Sequence, residues 1–121
     1  MELNEYQQKA MSTCMETSNN FSYMLLNLVA EVGEFAGKIA KQIRKGQSNI
    51  NQNQLQTEMR VLVEHPELKE EACKELGDVL WQLSGLCTVM NVSLEDIAKQ
   101  NLNKLADRQK RNVIDGNGDN R

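Results

Sequence analysis

Two acidic pairs with the same internal spacing, Glu31-Val-Gly-Glu34 and Glu75-Leu-Gly-Asp78, carry the chemistry this chain can do. Each lies in a stretch of helical periodicity, where residues three apart project from one side of a helix. Carboxylates held that close repel, and a helix gains nothing by stacking them without a counter-charge. Two such helices packed together would gather four carboxylates in one cleft. A hard divalent cation such as Mg²⁺, which prefers oxygen ligands, would relieve the repulsion.

The elements that position these pairs can be read from the pattern. With Glu31 at zero and about 100° per residue, Asn27, Glu34 and Lys38 fall within roughly 60° of it. Leu25, Leu28, Val32, Phe35, Ile39 and Ile43 fill the adjacent arc. The acidic strip thus borders the core-facing stripe, whereas a solvated charge face more often lies across the helix from the core. The second pair repeats the offset: Glu71, Asp78 and Gln82 share a strip with Glu75, beside Leu76, Val79, Leu83 and Met90. Near the C-terminus Asn101, Lys104 and Arg108 line up beside Ala98, Leu102 and Leu105. Cations so placed can bind phosphate oxygens, Arg through a fork and Lys as a point charge. The alternative reading of all three strips is a set of solvated charged faces; the repeated offset favours a site.

The donor set narrows the metal. Di-iron helical bundles use Glu-x-x-His pairs, but position 34 is Glu, position 78 is Asp, and the one histidine, His65, falls between helices. All-oxygen ligation points to Mg²⁺, with Mn²⁺ as a substitute, and to phosphate as co-ligand. A Gly-x-x-x-x-Gly-Lys-Ser/Thr phosphate loop is absent, so nucleotide binding here must be helical.

Composition agrees with an all-α fold of four to five helices. The 121 residues suit a single domain, with one proline (Pro66) and 4% aromatics. A net charge of −3 argues against a nucleic-acid-coating surface. No apolar run reaches the ~20 residues of a membrane span, and the acidic start lacks signal-peptide order, so a cytoplasmic protein is expected. Cys14, Cys73 and Cys87 read as small buried apolar residues in a reducing compartment.

The expected helices cover about residues 4–18, 21–44, 66–89 and 94–111, with a short piece near 57–64. Gly46 ends the second helix, Pro66 opens the third long one, and Ser93 caps the last with Asp96 at the capping-box position. Residues 46–56, rich in Asn and Gln, read as a polar surface loop. The glycine-rich tail, about 112–121, shows no helical pattern. Trp81 sits well off the acidic strip, which favours a core or interface role over base stacking.

The stretches Glu-Val-Gly-Glu-Phe-Ala-Gly-Lys (31–38) and Lys-Glu-Leu-Gly-Asp-Val-Leu-Trp (74–81), followed by Asn101-x-x-Lys104 and Arg108, resemble the all-α nucleoside triphosphate pyrophosphohydrolases of the MazG-like type. The likeness covers about residues 5–112 and extends to dimeric dUTPases, dCTP pyrophosphatases and phosphoribosyl-ATP pyrophosphohydrolases. It implies Mg²⁺-dependent hydrolysis of an NTP or dNTP to the monophosphate and pyrophosphate. Glu31, Glu34, Glu75 and Asp78 would hold the metal, and Lys38, Asn101, Lys104 and Arg108 would bind substrate. It also implies a homo-oligomer, a dimer or a dimer of dimers. The chain between Glu34 and Glu75 is longer than usual for the family, the excess being the polar stretch after Gly46. The rival reading is a non-catalytic helical protein that binds a partner.

Overall fold

The computed structural model describes residues 1–121. Helices α1 (Leu3–Met11), α2 (Phe21–Arg44), α3 (Met59–Glu64), α4 (Glu67–Val89) and α5 (Leu94–Lys110) are joined by short connections. A two-stranded antiparallel hairpin, β1 (Ser48–Asn51) and β2 (Gln54–Thr57), separates α2 from α3. The long helices α2 and α4 form the central pair, α1 packs on α4 and α5, and β1 leans on α2.

Local chemistry explains the boundaries. Asn20 caps α2 by accepting from the Tyr23 N–H at 2.8 Å, and Gly46 ends it with φ +69°, a left-handed turn that glycine enters without strain. Ser93 Oγ accepts from the Asp96 N–H at 3.0 Å, as the capping pattern requires. Pro66 sits at the N-cap of α4 with φ −62°, a value its ring presets.

Two expected elements need correction. The first helix does not run to 18: α1 ends at Met11, and a 3₁₀ turn covers Glu16–Ser18. The Thr13 hydroxyl donates to Ala10 O at 2.7 Å, and the Trp81 indole N–H donates to the same carbonyl at 3.1 Å and to Thr13 Oγ1 at 3.0 Å. Side-chain donors thus take carbonyls that a continuing helix would use. Residues 46–56 are not an irregular loop either. Gln52 and Asn53 both have positive φ, 49° and 62°, which matches the two-residue turn that suits strand twist. Ile50 pairs with Leu55, and Ser48 with Thr57, whose hydroxyls lie 2.7 Å apart.

Polar side chains stitch these parts to the central pair. Ser48 Oγ donates to the buried Gln42 Oε1 at 3.0 Å, anchoring the hairpin to α2. Gln7 of α1 donates to Thr88 Oγ1 and Val92 O and accepts from the Leu94 N–H at 2.7 Å. It thereby satisfies an otherwise orphaned donor at the start of α5.

The core is small. Met24, Val61, Ala72, Cys87 and Leu94 are its buried apolar members, and only 11 of 121 residues are almost wholly buried. Much apolar surface therefore stays open, including Leu26, Val29 and Val32 of α2 and Leu76 and Leu80 of α4. Of the three cysteines only Cys87 is buried; Cys73 is exposed and Cys14 partly so, which corrects the expectation for those two.

Fully buried Met24 of α2 lies directly against Gly85 of α4. A methyl at 85 would overlap the Met24 Sδ and Cε atoms. Gly85→Ala should therefore destabilise the fold by about 1–3 kcal/mol despite alanine's better helix propensity. Chemical denaturation of the two proteins measures this difference, and Gly85→Ala should cost less in a Met24→Ala background, where the overlapping side chain is gone.

Candidate metal centre

The antiparallel seam of α2 and α4 brings the acidic motifs face to face. Glu31, Glu34 and Glu75 each present a carboxylate oxygen within 4.8 Å of the others. Glu34 is exposed, whereas Glu31 and Glu75 are half-buried. Asn27, one turn before Glu31, donates to Glu31 Oε1 at 3.0 Å and fixes that carboxylate. Lys38 Nζ stands 3.6 Å from Glu75 Oε1, where it offsets part of the negative charge. Asp78 contributes no oxygen to the tight group, but its charge reaches both Glu34 and Tyr6.

Electrostatics record the crowding. The Glu34 carboxyl titrates above its ordinary 4.5, chiefly because Glu31 and then Glu75 are negative beside it. Some burial, a hydrogen bond to Glu75 and the Asp78 charge push the same way. Tyr6 of α1 is raised as well, first by burial and then by Asp78. The sequence reading missed this nearness of Tyr6 to Asp78. No local signal marks it, because the contact joins distant segments.

The donor set fits a hard cation: three converging carboxylates, no sulfur, and no imidazole. His65 instead joins α3 to α4 and pairs with Glu67 at 3.1 Å. Gln82, one turn beyond Asp78, is buried with its Oε1 unpartnered, an orphaned acceptor on the same helical strip.

The cation strip of α5 makes no polar contact with these carboxylates. No hydrogen bond or ion pair joins Asn101, Lys104 or Arg108 to Glu31, Glu34, Glu75 or Asp78. Asn101 and Lys104 line a shallow depression with Ile97 and Gln100, and Arg108 is only 4% exposed. The structure thus unites Glu31, Glu34, Glu75 and Lys38, sets Asp78 at their edge, and links Asn101, Lys104 and Arg108 to none of them by a hydrogen bond or ion pair. Beside the cluster, an apolar cavity of about 290 Å³ opens between α2, α4 and the hairpin, lined among others by Phe35, Ile39, Leu55 and Leu76. Trp81 ties α1 to α4 and serves packing, as its position on the helix indicated.

A largely helical chain with paired carboxylate motifs across one seam is the architecture observed, and comparison with known proteins supplies the family. Residues 19–113 match the MazG nucleotide pyrophosphohydrolase domain, and the chain belongs to that family. It is also 35% identical over 106 residues to the Gene 37 protein of Mycobacterium phage L5, an alignment covering 88% of this chain and 81% of the phage protein. No solved structure gives a significant match.

The raised Glu34 pKa has a testable consequence for stability. A carboxyl whose folded pKa exceeds its unfolded value stabilises the fold while protonated, and that contribution is lost as pH rises through the folded pKa. The metal-free protein should therefore melt higher as pH falls from neutrality toward 4.5, the ordinary glutamate value. Below that range the depressed carboxyls of Glu67, Glu95 and Asp119 reverse the trend. Glu34→Gln should raise the metal-free melting temperature at pH 7 and flatten the acid-side rise; melting curves at several pH values decide it.

Proposed function

We propose that this protein hydrolyses a nucleoside triphosphate, foremost a deoxynucleoside triphosphate, to the monophosphate and pyrophosphate with the help of Mg²⁺. The observation that carries this reading is the convergence of Glu31, Glu34 and Glu75 inside a chain of the MazG nucleotide pyrophosphohydrolase family. Asp78 joins them as the fourth acidic ligand. A cation held there would offset the polyphosphate charge and favour deprotonation of the attacking water; Mn²⁺ is a suitable substitute. One carboxylate of the cluster accepts the proton of that water as it attacks phosphorus, and pyrophosphate leaves. Asn27 holds Glu31 in register for ligation. Lys38, 3.6 Å from Glu75 Oε1, would be free to turn to a phosphate oxygen once a cation held by the carboxylates offset the charge it now neutralises. Asn101 and Lys104 face solvent and are suited to phosphate or sugar contacts, with Arg108 behind them. The apolar cavity next to Phe35 and Leu76 is of a size to receive a nucleobase.

We also infer a homo-oligomer, a dimer or a dimer of dimers. Leu26 is 70% and Val29 69% exposed on α2, and contiguous apolar surface of this kind marks protein contact sites. Around Gly33, Gly37 and Gly77 nothing lies within 4 Å of where a Cβ would stand, so another helix can approach closely. A cytoplasmic location fits a chain in which no helix is long and apolar enough to cross a membrane.

Purified protein assayed against a panel of NTPs and dNTPs should release pyrophosphate only with Mg²⁺ or Mn²⁺. Glu34→Ala and Asp78→Ala should each lower turnover roughly a hundredfold or more while preserving the helical circular dichroism, because each removes a charge ligand at the reacting phosphate. Near-wild-type turnover in either variant would overturn the site assignment, and inactivity of the wild type on every triphosphate would favour a non-catalytic partner-binding protein. Light scattering at micromolar concentration should return at least twice the 13.7 kDa chain mass.

A further inference from the structure

Arg108 is 4% exposed, and its side-chain partners both come from the C-terminal segment. Its Nη2 donates to Asp119 Oδ1 at 3.0 Å and to Gly118 O at 3.4 Å, and its Nε has no partner. Lys104 Nζ lies 3.2 Å from the same Asp119 oxygen. One carboxylate thus bridges the two cations of the α5 strip.

The segment that delivers this carboxylate is a specified loop. The Arg121 guanidinium donates to Val113 O, Ile114 O and Gly118 O, and Arg111 donates to the Arg121 main-chain oxygen. A side chain at 116 would meet Arg121 Cδ, so Gly116 leaves the room in which the arginine lies. Gly118 has φ +75° and Asn112 φ +58°, left-handed positions that suit these two residues. Asp119 is held ionised, its pKa lowered by Arg108 first and then by Lys104.

We propose that the C-terminal loop, residues 112–121, is a working part of the polyphosphate site, with Asp119 as a positioning residue that holds the Lys104 ammonium at the mouth of the Asn101–Lys104 depression. This rests on the reading above that the α5 strip takes phosphate. Lysine has three donors on a flexible stem. Asp119 engages one, restrains the stem before substrate arrives, and leaves two for phosphate oxygens, which lowers the ordering cost of binding. Arg108 is the loop's anchor and a fixed background charge, and does not itself touch substrate. Asp119 offsets that buried charge, so the net positive charge of the triad is presented at Lys104.

The test is calorimetric titration of the full chain with inorganic tripolyphosphate in the absence of metal, paired with steady-state kinetics. Asp119→Asn should weaken tripolyphosphate binding about tenfold and raise KM for the triphosphate by a similar factor, with kcat within about twofold of wild type. Asp119→Glu should restore most of the loss. Arg121→Ala, which unpins the loop without touching either cation, should reproduce it. In a Lys104→Ala background Asp119→Asn should change nothing further. Equal or tighter binding by Asp119→Asn would overturn the proposal, since the carboxylate would then be a competitor for the cations. A lowered melting temperature with unchanged binding and KM would equally overturn it, as the loop would be a structural clasp only. A wild type that turns over no triphosphate would refute the hydrolase reading alone, because the tripolyphosphate titration still decides the loop.

Discussion

Repulsion among the carboxylates on the α2–α4 seam is the constraint around which this molecule is organised. Glu31, Glu34 and Glu75 lie within 4.8 Å of one another in a position that packing alone would avoid. Their proximity raises Glu34, draws Lys38 toward Glu75 and recruits Asn27 to hold Glu31. None of these neighbours cancels the charge, so the seam keeps a standing electrostatic cost of the kind that the proposed divalent cation would offset. Functional sites are where such local conflicts with stability persist.

The rest of the chain offsets that cost with little buried apolar material. Met24 seated on Gly85 sets how near α2 and α4 approach. Polar clamps then do what a larger core would do elsewhere: Gln7 across the α4–α5 turn, Trp81 on the end of α1, and Gln42 with Ser48 at the hairpin. The apolar faces of α2 and α4 left open are consistent with a protomer whose core is completed by another copy.

The two segments that follow no helical pattern are both ordered by side chains reaching back to a helix. Gln42 holds the hairpin through Ser48, and Arg108 holds the C-terminal loop through Asp119. Each segment lies beside a feature of the proposed site, the hairpin over the apolar cavity and the loop on the α5 cations. Their order comes from specific polar contacts and left-handed residues, so a composition-based reading takes both for featureless loop.

What the sequence determined by itself was the helices and the acidic strips. Periodicity and capping chemistry are local, so Phe21–Arg44, the cap at Ser93 and the offset of Glu31 and Glu75 from the apolar arc were legible from spacing alone. The Asn-Ile-Asn and Gln-Leu-Gln alternation did carry a period of two, but polar composition hid it. Only tertiary structure decided which carboxylates meet, that Asp78 stands at the edge beside Tyr6, and that Arg108 is buried under the chain's own end. The early stop of α1 belongs there too, because the indole that takes the Ala10 carbonyl comes from α4. A helix face is fixed by the residues along it, whereas a meeting of groups far apart in sequence depends on how the helices cross.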